Sequence, residues 1–298
     1  MMIELRHVNY FLALAEEKHF TRAAERSGIQ QPPFSRQIRD LEEMVGARLF
    51  SRAPNGTFLT EAGLAFLAAV QNVPGQIQRA ARDAQRAARG EVGSLRVGYT
   101  GSAAFNPVVA ATIRSFRRTY PEVDLSLEEA NTPRLIEGVK DGSYDVVFLR
   151  PGASGSADLQ ERLLVSEAMV AVLPADHPLS KSETIKLAVL KEEPFILLPP
   201  AAGPILHDEI YAACRSAGFE PSLGQMAPQI GSVINLVATG LGVSLVPECM
   251  RCMQVPGIVF RTLAGKSPIA RLAVSLRRGE SAATVRNFIQ ECKRQIDP

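Results

Sequence analysis

The sequence predicts an α/β chain headed by a winged helix-turn-helix and continued by a long linker helix. Three observations carry that prediction. Two short amphipathic helices flank Ser27-Gly28-Ile29, apolar residues step by fours and threes from Phe66 to Ala87, and strands alternate with helices beyond residue 94. A length of 298 residues is long for one core and suits about two domains.

Leu5–Glu17 reads as a helix with Leu5, Val8, Leu12 and Ala15 on one face, widened by Phe11 and Leu14. Thr21 is a suitable N-cap for a second helix, Arg22–Arg26, whose Ala23 and Ala24 permit close helix contact, and Gly28 ends it. A third helix has Pro32 and Pro33 in its first turn, where missing N–H groups cost nothing, and closes at Gly46. Phe34, Ile38, Leu41 and Val45 form its core stripe, leaving Ser35, Arg36 and Arg39 off that stripe and Gln31 at the entrance. A helix pair joined by a tight turn places its second member in the DNA major groove. Residues 48–60 then read as strand, Asn55-Gly56 turn and strand, which is the wing.

Thr60-Glu61-Ala62-Gly63 starts a helix expected to run to about Arg89. Phe66, Val70, Val73, Ile77, Ala80 and Ala84 make a heptad seam, while Gln and Arg clothe the other faces. That pattern favours self-association over packing on its own domain. Pro74 should kink the helix. Gly90-Glu91-Val92-Gly93-Ser94 has hinge composition. Beyond it, strands are expected at 95–99, 123–129, 145–149, 168–173, 195–198, 223–226, 243–246 and 269–276. Helices are expected at 104–120, 133–141, 204–218, 232–240 and 282–295.

The net charge is +2, and residues 1–92, with 12 Lys+Arg against 10 Asp+Glu, hold all of it. So small an excess says little about nucleic acid by itself; placement matters more. No apolar run approaches the roughly 18 residues of a membrane span, and residues 1–10 lack a signal-peptide plan, so a cytoplasmic protein is expected. Four cysteines make no disulfide framework. Cys249-Met250-Arg251-Cys252 is a lone CxxC with neither a second pair nor a neighbouring His, which favours buried structural thiols over a redox or zinc site.

At the ends of the first strands stand Thr100-Gly101-Ser102, Thr132 and Arg150. A turn between a strand and a helix N-terminus offers N–H groups and hydroxyls to an anion, and Arg150 adds positive charge, so a carboxylate-bearing ligand is expected. Gly98 and Gly101 do not form a dinucleotide fingerprint, and no P-loop, nucleophile elbow or metal-binding His pair occurs, so no cofactor and no metal are expected. An enzyme with an accessory DNA-binding domain is the weaker alternative, as is a redox-responsive regulator using Cys249 and Cys252.

Taken in order, these residues resemble a LysR-type transcriptional regulator over essentially the whole chain. The resemblance rests on F-T-R-A-A-E-R-S-G-I-Q-Q-P-P-F-S-R-Q-I-R-D-L-E at 20–42, L-F-S-R at 49–52, L-T-E-A-G at 59–63 and G-x-L-R-V-G at 93–98. D-G-x-Y-D-V at 141–146, A-D-H-P-L at 175–179 and L-V-A-T-G-L-G-V-S-L-V-P at 236–247 extend it. The N-terminal wording is similar to the branch answering to aromatic acids or muconate-like diacids.

The resemblance implies a winged helix-turn-helix over 1–60, a dimerising linker helix over 61–90 and a two-lobed, periplasmic-binding-protein-like effector domain over 93–298. Its first lobe would hold 93–164 and 269–298, its second 165–268. It implies DNA contact by Gln31, Pro32, Pro33, Ser35, Arg36 and Arg39, where Gln suits an adenine edge, Arg a guanine edge and Pro a thymine methyl. Thr21, Arg22 and Arg52 would hold phosphates. Ser102, Thr132 and Arg150 would face Pro199 and Gln229 across the effector cleft. The expected partners are double-stranded DNA with an interrupted inverted repeat, a second copy of the chain in a dimer and then a tetramer, and RNA polymerase; no membrane is expected. Gln30 stands where members often carry Ser, a better helix cap.

Overall fold

A computed structural model describes residues 2–53 and 56–296, which divide into two compact units, Met1–Gln85 and Arg86–Pro298. In the first unit, α1 (Leu5–Glu17), α2 (Phe20–Arg26) and α3 (Gln31–Val45) close around Phe11, Leu14, Ala23, Ala24, Phe34, Ile38 and Leu41. The buried face of α1 holds His7, Val8, Phe11, Ala13 and Leu14, so Val8, Phe11 and Leu14 lie inward as expected, while Leu5 is exposed. α2 begins one residue before Thr21, with His19 at the N-cap. Thr21 therefore caps nothing: it lies inside the first turn, and the Phe20 ring before it packs edge-on against Phe34 at 6.3 Å. Gly28, at φ +69°, supplies the left-handed turn between α2 and α3, and the Ile29 N–H donates back to the Ala24 carbonyl.

Two strands, β1 (Phe50–Ala53) and β2 (Gly56–Leu59), pair antiparallel, with Phe50 opposite Leu59 and Arg52 opposite Thr57. Of the expected Asn55-Gly56 turn, Asn55 lies outside the described residues. Glu42 is buried at the end of α3, and its Oε1 accepts the N–H groups of Leu49 at 2.8 Å and Phe50 at 3.1 Å. One carboxylate thus fastens the wing to the third helix.

Helix α4 (Glu61–Val70) starts at Thr60, whose hydroxyl accepts the Gly63 N–H at 3.0 Å. The expected single helix is broken at Gln71-Asn72, and α5 (Val73–Ala88) follows. Pro74 sits in the first turn of α5, where it costs no hydrogen bond, so a helix start replaces the anticipated kink.

The second unit has β3 (Val92–Tyr99), α6 (Pro107–Thr119), β4 (Glu122–Glu129), α7 (Thr132–Lys140) and β5 (Val146–Leu149), with β4-β3-β5 parallel. The 16-residue β6 (Leu159–Pro174) then runs through both lobes. Next come β7 (Thr184–Ile185), β8 (Pro194–Leu197), α8 (Pro204–Ser216), β9 (Ser222–Met226), α9 (Ile230–Ala238), β10 (Ser244–Pro247) and β11 (Ile258–Leu263). The chain returns along β12 (Ile269–Arg277) and closes with α10 (Ala283–Arg294). The sheet order β4-β3-β5-β12-β6-β11-β7, with β10 also on β6, makes one curled sheet serve two cores. Leu95, Phe116, Phe148, Leu272 and Phe288 lie in one core, and Met169, Phe195, Leu206, Leu245 and Ala270 in the other. Both chain crossings therefore fall inside strands.

Residues 90–94 are not the open hinge that their composition suggested. β3 already begins at Val92, Gly90 is buried, and Asn287 Nδ2 donates to the Arg89 carbonyl at 2.8 Å.

Candidate DNA-reading face and effector cleft

On the first unit, α3 exposes Gln31, Pro32, Pro33, Arg36 and Arg39. Its apolar stripe turns these side chains outward together, and among the described residues neither Arg36 nor Arg39 has an ion-pair partner. Free guanidiniums on a projecting helix suit base edges and phosphates. Ser35 differs from expectation. It is buried beside Phe34, and its Oγ accepts Gln31 Nε2 at 3.1 Å. The stripe is wider than its apolar residues indicate, and Ser35 sits within it, orienting Gln31. Gln30, at the N-cap, makes no side-chain cap bond, as its chemistry foretells.

Thr21, Arg22 and Arg52 are all exposed. Arg22 Nη2 donates to the Glu17 carbonyl at 2.8 Å, and the Arg52 guanidinium lies 4.6 Å from the Phe20 ring centroid. Both Arg heads are therefore held in place on the surface.

In the second unit, the C-terminal ends of β3, β4 and β5 meet the entrances of α8 and α9 around a cavity of about 300 Å³. Ser102, Thr132, Arg150 and Gln229 line it, so four expected residues from both lobes converge. Pro199 does not line it. Its carbonyl accepts the N–H groups of Ala202 and Gly203, and that turn presents Leu198, Ala202 and Gly203 to the cavity instead. The expected Thr100-Gly101-Ser102 turn lines it as a whole, while Glu129, Asn131, Ile205 and Pro228 carried no expectation; Asn131 stands beside Thr132 and Pro228 beside Gln229.

Neither Ser102 nor Thr132 caps a helix. After Ser102 the chain makes a short 3-10 turn, and α6 is capped by Asn106, whose Oδ1 accepts the Val108 N–H at 3.0 Å. Asn131, not Thr132, caps α7 by accepting the Arg134 N–H at 3.0 Å. Ser102 and Thr132, relieved of capping, are buried in the wall. Gln229 occupies the N-cap of α9 without a side-chain cap bond, leaving its amide to the cavity.

Arg150 is 3% exposed. Its Nη2 donates to Ser102 Oγ at 3.0 Å and its Nη1 to the Arg271 carbonyl at 3.1 Å, with Glu167 Oε1 3.4 Å away. Burial lowers its pKa from the ordinary arginine range, and Glu167 opposes that. Arg150 is thus not the free cation that its position in the sequence suggested. Even so, Arg150 Nε has no partner, nor does Thr100 Oγ1 on the same wall.

Comparison with known proteins places the two units. Residues 5–64 match the family described as bacterial regulatory helix-turn-helix protein, lysR family, and residues 88–297 match the LysR substrate binding domain. The chain belongs to the LysR family of transcriptional regulators.

It is 38% identical to the HTH-type transcriptional regulator YnfL of Escherichia coli K12, over 97% of each chain. It is 35% identical to BudR of Raoultella terrigena, over 97% of this chain and 99% of that one, and 35% identical to CatR of Pseudomonas putida, over 97% of each. Full-length CbnR complexed with its target DNA superposes with a TM-score of 0.85 at 26% identity, covering 99% of this chain and all of that one. The protein is therefore a DNA-binding transcriptional regulator with an effector-binding domain.

For a LysR-family regulator the linker has a clear division. Phe66 and Val70, expected in the dimer seam, also pack on the helix-turn-helix core, with the Phe66 ring meeting Phe11 edge-on at 4.9 Å. No residue of α5 is buried, and Ile77, Ala80 and Ala84 are exposed on it, with Val73 half-buried at its start. The CxxC pair also departs from expectation: it lies in a 3-10 turn (Glu248–Cys252), Cys249 is half-buried and Cys252 is exposed. Burial, then Glu167, pushes the Cys249 thiol up to about 12, away from the thiolate that a redox sensor requires. No cluster of metal-ligating side chains occurs among the described residues.

Proposed function

We propose that a small carboxylate-bearing effector, such as an aromatic acid, binds between the lobes of the second unit and thereby controls DNA binding by the first. The observation that carries this reading is the convergence of Ser102, Thr132 and Arg150 from one lobe and Gln229 from the other on a single cavity of about 300 Å³. The cavity draws its walls from both lobes, so a ligand that touches both favours the closed arrangement by its differential affinity.

Gln31, Pro32, Pro33, Arg36 and Arg39 read bases, Ser35 positions Gln31, and Thr21, Arg22 and Arg52 hold phosphates. The face of α5 bearing Val73, Ile77, Ala80 and Ala84 pairs with a second copy, so two third helices address one inverted repeat. Two such dimers form the working tetramer. The protein acts in the cytoplasm as an activator that engages RNA polymerase; among its relatives, HcaR of Escherichia coli K12 is named an operon activator. No helix among the described residues is long and apolar enough to cross a membrane.

The test is calorimetric titration of carboxylates into the full-length protein, with mass spectrometry of the recovered ligand. Saturable binding with the ligand returned unchanged is expected. Conversion of the ligand to product would sink the regulator mechanism in favour of an enzyme.

A further inference from the structure

The charges around the effector cleft are more informative than Arg150 alone. Among the described residues that line it, Arg150 is the one cation, and its charge is already opposed by Glu167 at 3.4 Å. A second carboxylate, Glu129 at the end of β4, also lines the cavity. Its neighbour Glu128 is engaged by Arg134 at 3.0 Å, whereas the Glu129 side chain has no ion pair or hydrogen bond among the described residues. The position of Glu129 is built into the turn it covers. A Cβ placed on Gly101 would lie 2.8 Å from Glu129 Oε1 and 3.7 Å from Ile230 Cγ2, so the bare glycine makes room for this carboxylate at the meeting of the two lobes.

From this we infer that the effector carries a single carboxylate together with a hydrogen-bond donor, a hydroxyl or an ammonium, that reaches Glu129. The inference rests on the proposed carboxylate site and names the ligand class within it. The single carboxylate takes the wall of Ser102 and Thr132 beside Arg150, the one lining cation. The ligand's second polar group meets Glu129, an acceptor only. A diacid would set its second carboxylate against Glu129 with no other lining cation to offset it. One like-charge contact in a part-solvated cleft weakens binding by about tenfold (~1.4 kcal/mol). Specificity of this kind comes from a repulsive element as much as from an attractive one. Asn131, Thr132 and Gln229 supply neutral groups that fit either ligand class and do not change the preference.

The test uses two matched ligand series with the full-length protein in low-salt buffer, read by titration calorimetry. One is benzoate, 3-hydroxybenzoate, 3-(aminomethyl)benzoate and isophthalate. The other is butyrate, 4-hydroxybutyrate, 4-aminobutyrate and succinate. In at least one series the hydroxyl or ammonium member should bind about tenfold more tightly than the diacid, and which of the two binds better identifies the donor. Glu129→Gln, at an exposed side chain that leaves the fold intact, should shrink that ratio severalfold, mostly by tightening the diacid. Diacids binding as tightly as the donor-bearing members, or an unchanged ratio in Glu129→Gln, would overturn the inference while leaving the carboxylate site standing. Failure of every carboxylate to bind would overturn both.

Discussion

Glu167 Oε1 lies 3.4 Å from Arg150 Nη1, while its second oxygen accepts the Cys249 backbone N–H at 2.8 Å. Glu167 is on β6, the strand shared by the lobes, and Asn106 Nδ2 approaches the same Oε1 at 3.4 Å. One carboxylate therefore ties the end of β5 and the start of α6 to the turn after β10. The contact joins the ligand wall to the second lobe without itself lining the cavity.

Glu167→Gln should keep the shape but leave the buried Arg150 charge opposed only by Ser102 Oγ and the Arg271 carbonyl. The expected loss is roughly 2–3 kcal/mol, at or below the ~3–5 of opening a buried pair, because those acceptors remain. Thermal unfolding should show a lower Tm, and a saturating carboxylate should raise it further in the variant than in the native protein. An equal ligand-induced shift in both would disconnect Glu167 from the site.

The linker separates into two roles that substitution can distinguish. Phe66→Ala should destabilise the first unit by about 2 kcal/mol, less than the ~3–5 of a fully buried Phe, and leave the dimer intact. Ile77→Asp, at a side chain 47% exposed, should leave unfolding unchanged and promote dissociation. Sedimentation velocity alongside thermal denaturation reads both; an Ile77→Asp protein as dimeric as the native one would remove α5 from the interface.

Arg36→Ala should lose about 1–3 kcal/mol of discrimination between operator and scrambled DNA, and Arg52→Ala should weaken both equally. Anisotropy titrations on the two duplexes make the comparison. Ser35→Ala should impair discrimination indirectly, by freeing Gln31, rather than by removing a base contact.

The buried thiols Cys214 and Cys292 are each pushed up to about 12, chiefly by burial. A folded-state pKa above the unfolded value contributes stability that is present below about 9 and lost as pH rises toward 12. Tm should accordingly be flat in this respect at neutral pH and fall above pH 9, with Cys292→Ala flattening the alkaline limb. At pH 7.5, Cys252, which is exposed, should be alkylated well before Cys249. Mass-spectrometric mapping that finds Cys249 labelled first would restore the redox alternative.

Much of this was legible in the residue pattern where a period and a burial requirement coincide. Phe34, Ile38 and Leu41 placed α3 and turned Arg36 and Arg39 outward correctly. Ser35 and Glu42 were hidden because buried polar groups obey partners rather than periodicity, and their partners are Gln31 and the Leu49 and Phe50 amides. The apolar repeat from Phe66 to Ala87 was real, but it spans a helix break and serves two purposes, a core for Phe66 and an exposed face for Ile77. The first half of β6 lies outside the expected strand at 168–173, because Gln160, Glu161 and Arg162 offer no apolar alternation; pairing with β12 makes them strand. Strand ends pointed to Ser102, Thr132 and Arg150, but the Arg150–Glu167 pairing is long-range and invisible in one dimension.

The most direct measurement is a footprint of the operator by the full-length protein, with and without a binding carboxylate, for native protein and Arg150→Gln. The native footprint should change when the carboxylate is added. Arg150→Gln should protect the same bases and show no change with ligand. The opposite result, a ligand-dependent footprint identical in both proteins, would contradict control of DNA binding through the Arg150 wall.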